Sequence, residues 1–243
     1  MNNALTNNAI GNLSVDETAK SGNGGSPRSN ATDGSKKLPF SAAFSAAVAP
    51  PRSFASSKTS PVAPARLSYR IDPAVRQQVV DDFAGKLRSR GGANGSALLA
   101  LFARQDPFAA FHHLTGSDGY RADNAADALA AYLVTGWMIA GGREARPDIE
   151  GTRIVRSRIA AAMLANPQRM SASSLQRLGD QLQLLTVVIA VGRKSAAQAG
   201  RMRLYADEVA GVFRSAGGID LRDYDLTRQG FMARSRMPNA AAE

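Results

Sequence analysis

Gly119-Tyr120-Arg121-Ala122-Asp123-Asn124-Ala125-Ala126-Asp127-Ala128, running on through Trp137 to Gly141-Gly142, writes a loop, a helix cap and an apolar helix in one line. Asn124 or Asp123 supplies a side-chain oxygen for the free N–H groups of a first turn. Asp127 falls in that turn, where the helix dipole favours an anion. Leu129, Tyr132, Leu133, Gly136, Trp137 and Ala140 then recur at helical spacing. The run from Ala128 to Gly142 is uncharged. It is shorter than the ~18 residues a membrane span needs, and it carries Tyr132, Thr135 and three glycines, so a buried core helix is expected.

Outward from this helix the pattern stays helical. Asp72-Pro73 and Asp106-Pro107 each read as a cap followed by proline in the first turn. Val75, Val79, Phe83 and Leu87 form a stripe that Gly91-Gly92 ends, and a short helix from Ser96 carries Leu98, Leu99, Leu101 and Phe102. Asp106-Pro107 opens a turn or two to His113, and Thr115 to Arg121 is loop. On the C-terminal side, Pro147 with Asp148 and Glu150 opens a long helix ended by Asn166-Pro167. Ser171 to Ser174 caps the next, which runs towards Gly200, and a last helix stops at Gly217-Gly218. Ile219 to Leu226 alternates apolar and polar residues, but no partner strand is visible, so an extended segment is expected. The fold class is all-α: a bundle of about six helices behind a disordered leader.

The boundaries follow composition. Residues 1–66 are rich in Ala, Ser, Gly, Asn and Pro and read as a disordered leader, 67–233 as the helical domain, and 234–243 as a disordered tail. Within the leader, Lys36-Lys37, the apolar run from Leu38 to Ala46 and Ala47-Val48-Ala49 are the parts of a secretory signal, set 35 residues into the chain and followed by Pro50.

Cysteine is absent, which excludes disulfides, thiolate metal sites and cysteine nucleophiles. The net charge of +10 is spread along the chain, with seven Lys/Arg against three Asp/Glu in residues 1–66. A basic chain hints at nucleic acid or an anionic surface, but such a footprint needs clustering on one face. Arg153, Arg156 and Arg158 lie on one face of the helix, with Arg169 further along, and could meet an acidic partner, but a solvated helix face is the simpler reading.

The segment Tyr120-Arg121-Ala122-Asp123-Asn124-Ala125-Ala126-Asp127-Ala128, with Tyr132 and Trp137, resembles the central signature of an uncharacterised family of bacterial exported proteins, Tyr-Gly-Leu-Arg-x-Asp-Asn-x-Ala-Asp-Ala followed by an aromatic helix. The Gly-Leu pair is missing here, since Tyr120 meets Arg121 directly. Leu101-Phe102 with Asp106-Pro107-Phe108, and Ile219-Asp220-Leu221 with Leu226-Thr227 and Gln229-Gly230-Phe231, resemble the flanking segments. The resemblance implies a helical domain of unknown function with no catalytic residues to carry over. It also implies export to the periplasm or exterior, with the cytoplasm as the alternative. Relatives begin with a cleavable signal; Met1 is then read as an internal methionine, with the signal encoded upstream.

No catalytic constellation is legible. Adjacent His112 and His113 diverge by about 100° on a helix and suit one metal poorly; one partly buried and one exposed is expected. Asp118, Asp123, Asn124 and Asp127 are rich in oxygen, but their spacing fits no calcium loop, and capping accounts for the last three. Gly91-Gly92-Ala93-Asn94-Gly95 follows a helix rather than a strand, which weakens a phosphate-loop reading. Tyr132 and Trp137 are expected in the core. No metal or cofactor is called for. Arg121 is expected to form a structural ion pair with Asp123, Asp127 or a carboxylate at the C-terminal end of another helix, with an anionic ligand as the alternative. The candidate interaction residues are Asp118, Tyr120, Arg121, Arg153 and Arg156, centred on the loop Thr115 to Tyr120. The leading function is a non-enzymatic helical interaction module of the cell envelope or exterior, acting on a protein partner or on itself. The alternatives are a nucleic-acid or anionic-surface binder using the arginine face, and a hydrolase with scattered carboxylates.

Overall fold

The chain from Ala125 to Ala140 is a helix hidden on every side, with fourteen of its sixteen residues buried. A helix apolar all round belongs at the centre of a fold, not on its surface. The computed structural model describes residues 39–49, 66–90, 92–165 and 171–234. Its elements are α1 (Pro39–Val48), α2 (Pro73–Arg90), α3 (Gly92–Phe102), α4 (Pro107–Thr115), α5 (Ala125–Ala140), α6 (Ile149–Ala165), α7 (Ala172–Gln198) and α8 (Met202–Gly217), followed by strands β1 (Tyr224–Thr227) and β2 (Gly230–Ala233). The fold is all-α with one small sheet. No helix among the described residues is long and apolar enough to cross a membrane.

The 27-residue α7 runs beside α5 and buries Leu178, Leu182, Leu185 and Ile189 at helical spacing. Helices α6 and α8 pack on other sides of α5, while α2 and α4 pack on α7. Close approach is built in at Gly136, where a Cβ would collide with the Phe213 ring of α8. The caps follow the sequence: Asp106 accepts from the Phe108 N–H, Asn124 from the Ala126 and Asp127 N–H groups, and Ser171 from the Ser174 N–H. Asp148 accepts from the Glu150 N–H at 2.8 Å and so opens α6. Gly218, at φ 69°, ends α8 in the left-handed region that glycine tolerates. The Asn166-Pro167 stop lies outside the described residues.

Three expectations change. Of the stretch with signal-like parts, assigned to the leader, Pro39–Val48 is α1, which packs on α6, α8 and β2; Lys36 to Leu38 lie outside the described residues. Ala43, Phe44 and Ala47 lie at i, i+1 and i+4 and are at most 1% exposed, with Phe44 and Phe213 5.6 Å apart between ring centres. Cleavage after Ala49 would therefore remove a core helix. The segment after Ile219 is not merely extended: β1 and β2 form an antiparallel hairpin with Tyr224 opposite Ala233 and Thr227 opposite Gly230. Its partner strand is the next four-residue run, joined through Arg228-Gln229, a pair that carries none of the usual turn signals. Lastly, His112 and His113 are both exposed.

The hairpin is pinned to α5. Trp137 Nε1 donates to the Tyr224 carbonyl at 2.8 Å, and Phe231 meets the indole edge-on at 5.9 Å. The Arg143 guanidinium lies 4.0 Å over the same indole and donates to the Tyr224 carbonyl. Tyr132, also in the core as expected, packs on Phe213 at 4.8 Å.

Candidate functional site

The start of α5 is a knot of hydrogen bonds. Asn124 is fully buried; its Oδ1 accepts from the Ala126 and Asp127 N–H groups at 3.0 and 3.1 Å, and its Nδ2 donates to Ser68 Oγ at 3.0 Å. The Leu67–Tyr69 segment lies antiparallel to it, with Tyr69 N–H donating to the Asp123 carbonyl and Ala125 N–H to the Leu67 carbonyl. The Ala122 carbonyl accepts from the Tyr69 hydroxyl at 3.0 Å and from Gln183 Nε2 of α7 at 2.8 Å. Arg121 grips Asp123 with two bonds of 3.0 and 2.8 Å.

Asp127 does more than sit in a favourable dipole. One carboxylate oxygen accepts from the Arg121 N–H at 2.9 Å; the other forms an ion pair with Arg156 Nε of α6. The carboxylate is sealed from solvent, and burial pushes its pKa up to about 6. The Arg121 N–H and the Arg156 charge pull the other way. At neutral pH it is ionised and paired. Burial likewise raises the Tyr120 phenol well above its usual range, with Asp118 pushing the same way and Thr152 opposing.

Beside this knot lies a cleft of about 240 Å³. One wall is α5, with Ala131, Val134, Thr135 and Met138 at i, i+3, i+4 and i+7; the opposite wall is α7, with Thr186, Ala190 and Arg193. The rim is Leu114, Asp118 and Arg146, and the buried Tyr120 also lines the cleft. Arg146 reaches across from the α5–α6 connection, donating to Ser117 Oγ and lying 3.8 Å from Asp118. Arg193 donates to the Arg143 carbonyl at 3.2 Å. The Thr115 and Thr186 hydroxyls are spent on carbonyls four residues back in their own helices.

The candidate residues therefore part company. Asp118 and Tyr120 line the cleft. Arg121 holds Asp123 outside it. Arg156 is committed to Asp127, and Arg153 to Glu150 one turn earlier. Arg158 donates to the carbonyls of Ala49 and Gln229, tying α1 and the hairpin to α6. The arginines of α6 thus serve separate tasks, and Arg169 lies outside the described residues. Among the described residues no group of three or more His, Asp or Glu is placed to hold a metal. Arg146 and Arg193 were not singled out from sequence. Arg193 has a legible signal, since it continues the Thr186, Ala190 stripe with a single charge.

A family model matches residues 28–224, about four-fifths of the chain. The chain belongs to that Family of unknown function (DUF6683). The DUF6683 match takes in α1 and every other described helix, and it ends at Tyr224, the first residue of β1. Both the cap of α5 and the cleft fall inside it. No curated protein and no solved structure matches the chain.

Proposed function

We propose that this DUF6683 chain is a non-enzymatic helical interaction module that works in the bacterial envelope or exterior. It touches a partner protein through the Thr115–Tyr120 loop and the rim of the cleft. One observation carries this reading: the polar side chains of the α5 cap are consumed internally, while Leu114, Asp118 and Arg146 stand beside a recess. Leu114 is 44% exposed, among the largest apolar side chains left in solvent. An apolar residue rimmed by charge is ordinary contact-surface chemistry. The export reading rests on the resemblance of the α5 signature to exported proteins.

Against the nucleic-acid alternative, Arg156 and Arg158 are turned to internal partners. Likewise Asp127, the carboxylate with the raised pKa, is sealed from any substrate.

The test is site-specific photo-crosslinking in the native host. A crosslinker at Ser117 is compared with one at Gln77, on the exposed side of α2. A discrete adduct from Ser117 alone, lost when Arg146→Glu is added, supports the reading. Equal adducts from both sites, or none, overturns it. A steep salt-dependent affinity for DNA, unaffected at Arg146, would favour the nucleic-acid alternative.

A further inference from the structure

Arg193 is the one cleft-lining cation that no carboxylate neutralises among the described residues. Its recorded partner is a backbone carbonyl, that of Arg143 at 3.2 Å. Arg193 is a half-buried residue and closes an otherwise uncharged wall of Thr186 and Ala190. A guanidinium with five donors and one carbonyl partner beside a recess is well matched by an anion that accepts two bonds side by side. On the rim, Arg146 supplies a second guanidinium, partly offset by Asp118 at 3.8 Å, so one positive charge is left in excess.

The interior of the cleft is of opposite character. Val134, Met138 and Ile139 give it aliphatic walls, and the hydroxyls of Thr115 and Thr186 are already bonded. An apolar cavity of about 150 Å³ holds a benzene ring. A cleft of about 240 Å³ therefore takes roughly ten non-hydrogen atoms: one ring or branched chain with one anionic group.

We infer that the cleft binds a small monocarboxylate, its carboxylate on Arg193 with Arg146 alongside and its apolar body between α5 and α7. Arg146 is shared with the protein-contact rim, but Arg193, on which the carboxylate assignment turns, is not, so Arg193→Gln tests the ligand site apart from the contact surface.

The experiment is titration calorimetry on the full chain with phenylacetate and 4-methylpentanoate, each set against its neutral amide. Expected are saturable binding with a Kd on the order of 0.1 mM for the acids and at least a tenfold loss for the amides. Arg193→Gln should weaken the acids roughly tenfold or more, and Arg104→Gln, a remote exposed arginine, should leave them unchanged. Thr135→Phe fills the recess without altering charge. It should abolish binding, and its helical circular dichroism and melting point show whether the fold is kept. If Thr135→Phe unfolds the chain, Arg193→Gln still decides. Acids and amides binding alike, acids unaffected by Arg193→Gln, or no binding of the acids at 10 mM would each overturn the assignment. So would binding of an acetylated tripeptide ending in leucine when the free acids fail. Crosslinking at Ser117 reports on the contact surface alone, so the two readings fail separately.

Discussion

The carboxylate of Asp127 and the guanidinium of Arg156 form an ion pair that ties the first turn of α5 to the middle of α6, with Asp127 wholly shielded from water. Removing one member of such a pair leaves an uncompensated charge inside, which costs more than the pair itself contributes. Arg156→Met is therefore expected to destabilise the fold by roughly 3 kcal/mol. The double variant with Asp127→Asn should recover part of the loss. Urea unfolding of the three variants checks this, and strictly additive losses would refute it.

Asn124 combines a cap with a tether, since its amide nitrogen also holds Ser68. Asn124→Ala should cost about 1–2 kcal/mol, more than Asn124→Ser, which keeps an uncharged capping oxygen and loses the amide donor to Ser68. Arg121→Ala should lower the melting temperature only slightly. Its Asp123 pair is exposed, and exposed pairs contribute at most about 1 kcal/mol. Thermal melts of the three variants give the order.

Acid acts on two kinds of carboxylate. Arg222 and Arg214 hold Asp220 well below the usual carboxylate range, and Arg234 with Arg143 lowers Asp225. A carboxyl whose folded pKa is depressed stabilises above its unfolded value near 4 and loses that contribution as pH falls below it. Asp127 has the opposite sign. With a folded pKa of about 6, the native state holds its proton more tightly, so its contribution declines as pH rises from about 4 to 6 and is flat above. The melting temperature should fall steeply below pH 4, and Asp220→Asn should blunt that fall. Asp127→Asn should make the slope between pH 4 and 6 more positive than in the parent chain. Melts across pH 2.5–7 test both signs.

Helix α1 is held by Phe44, which is fully buried against Phe213. Phe44→Ala should cost about 3–5 kcal/mol through the cavity it leaves. If α1 were only a loosely attached segment, denaturant unfolding would show less than 1 kcal/mol of change.

The parts of this fold legible in the sequence are those where local chemistry decides. Asp-Pro pairs, Ser171 and Asn124 mark helix starts through side-chain oxygens that act within three residues, and the apolar period of α5 and α7 announces burial. Helix α1 was hidden because it is short, rich in alanine and serine and set in a low-complexity stretch, and only contact with α6 and α8 makes it core. The hairpin was hidden because its turn has no glycine within the two linking residues. Asp127 read as a helix-start anion because its partner Arg156 lies 29 positions away. The loop Thr115 to Tyr120 is set off in the sequence by the helix stop before it and the cap after it. The cleft beside it was not legible, since Arg146 and Arg193 come from elements that meet only in three dimensions.

Trp137 is the chain's single tryptophan, and its indole is buried, hydrogen-bonded to β1 and capped by the Arg143 cation. The molecule thus carries its own spectroscopic gauge. Intrinsic emission, read with no added label, will redden when the terminal hairpin lifts from α5, so hairpin docking can be timed separately from loss of the helices, which circular dichroism follows.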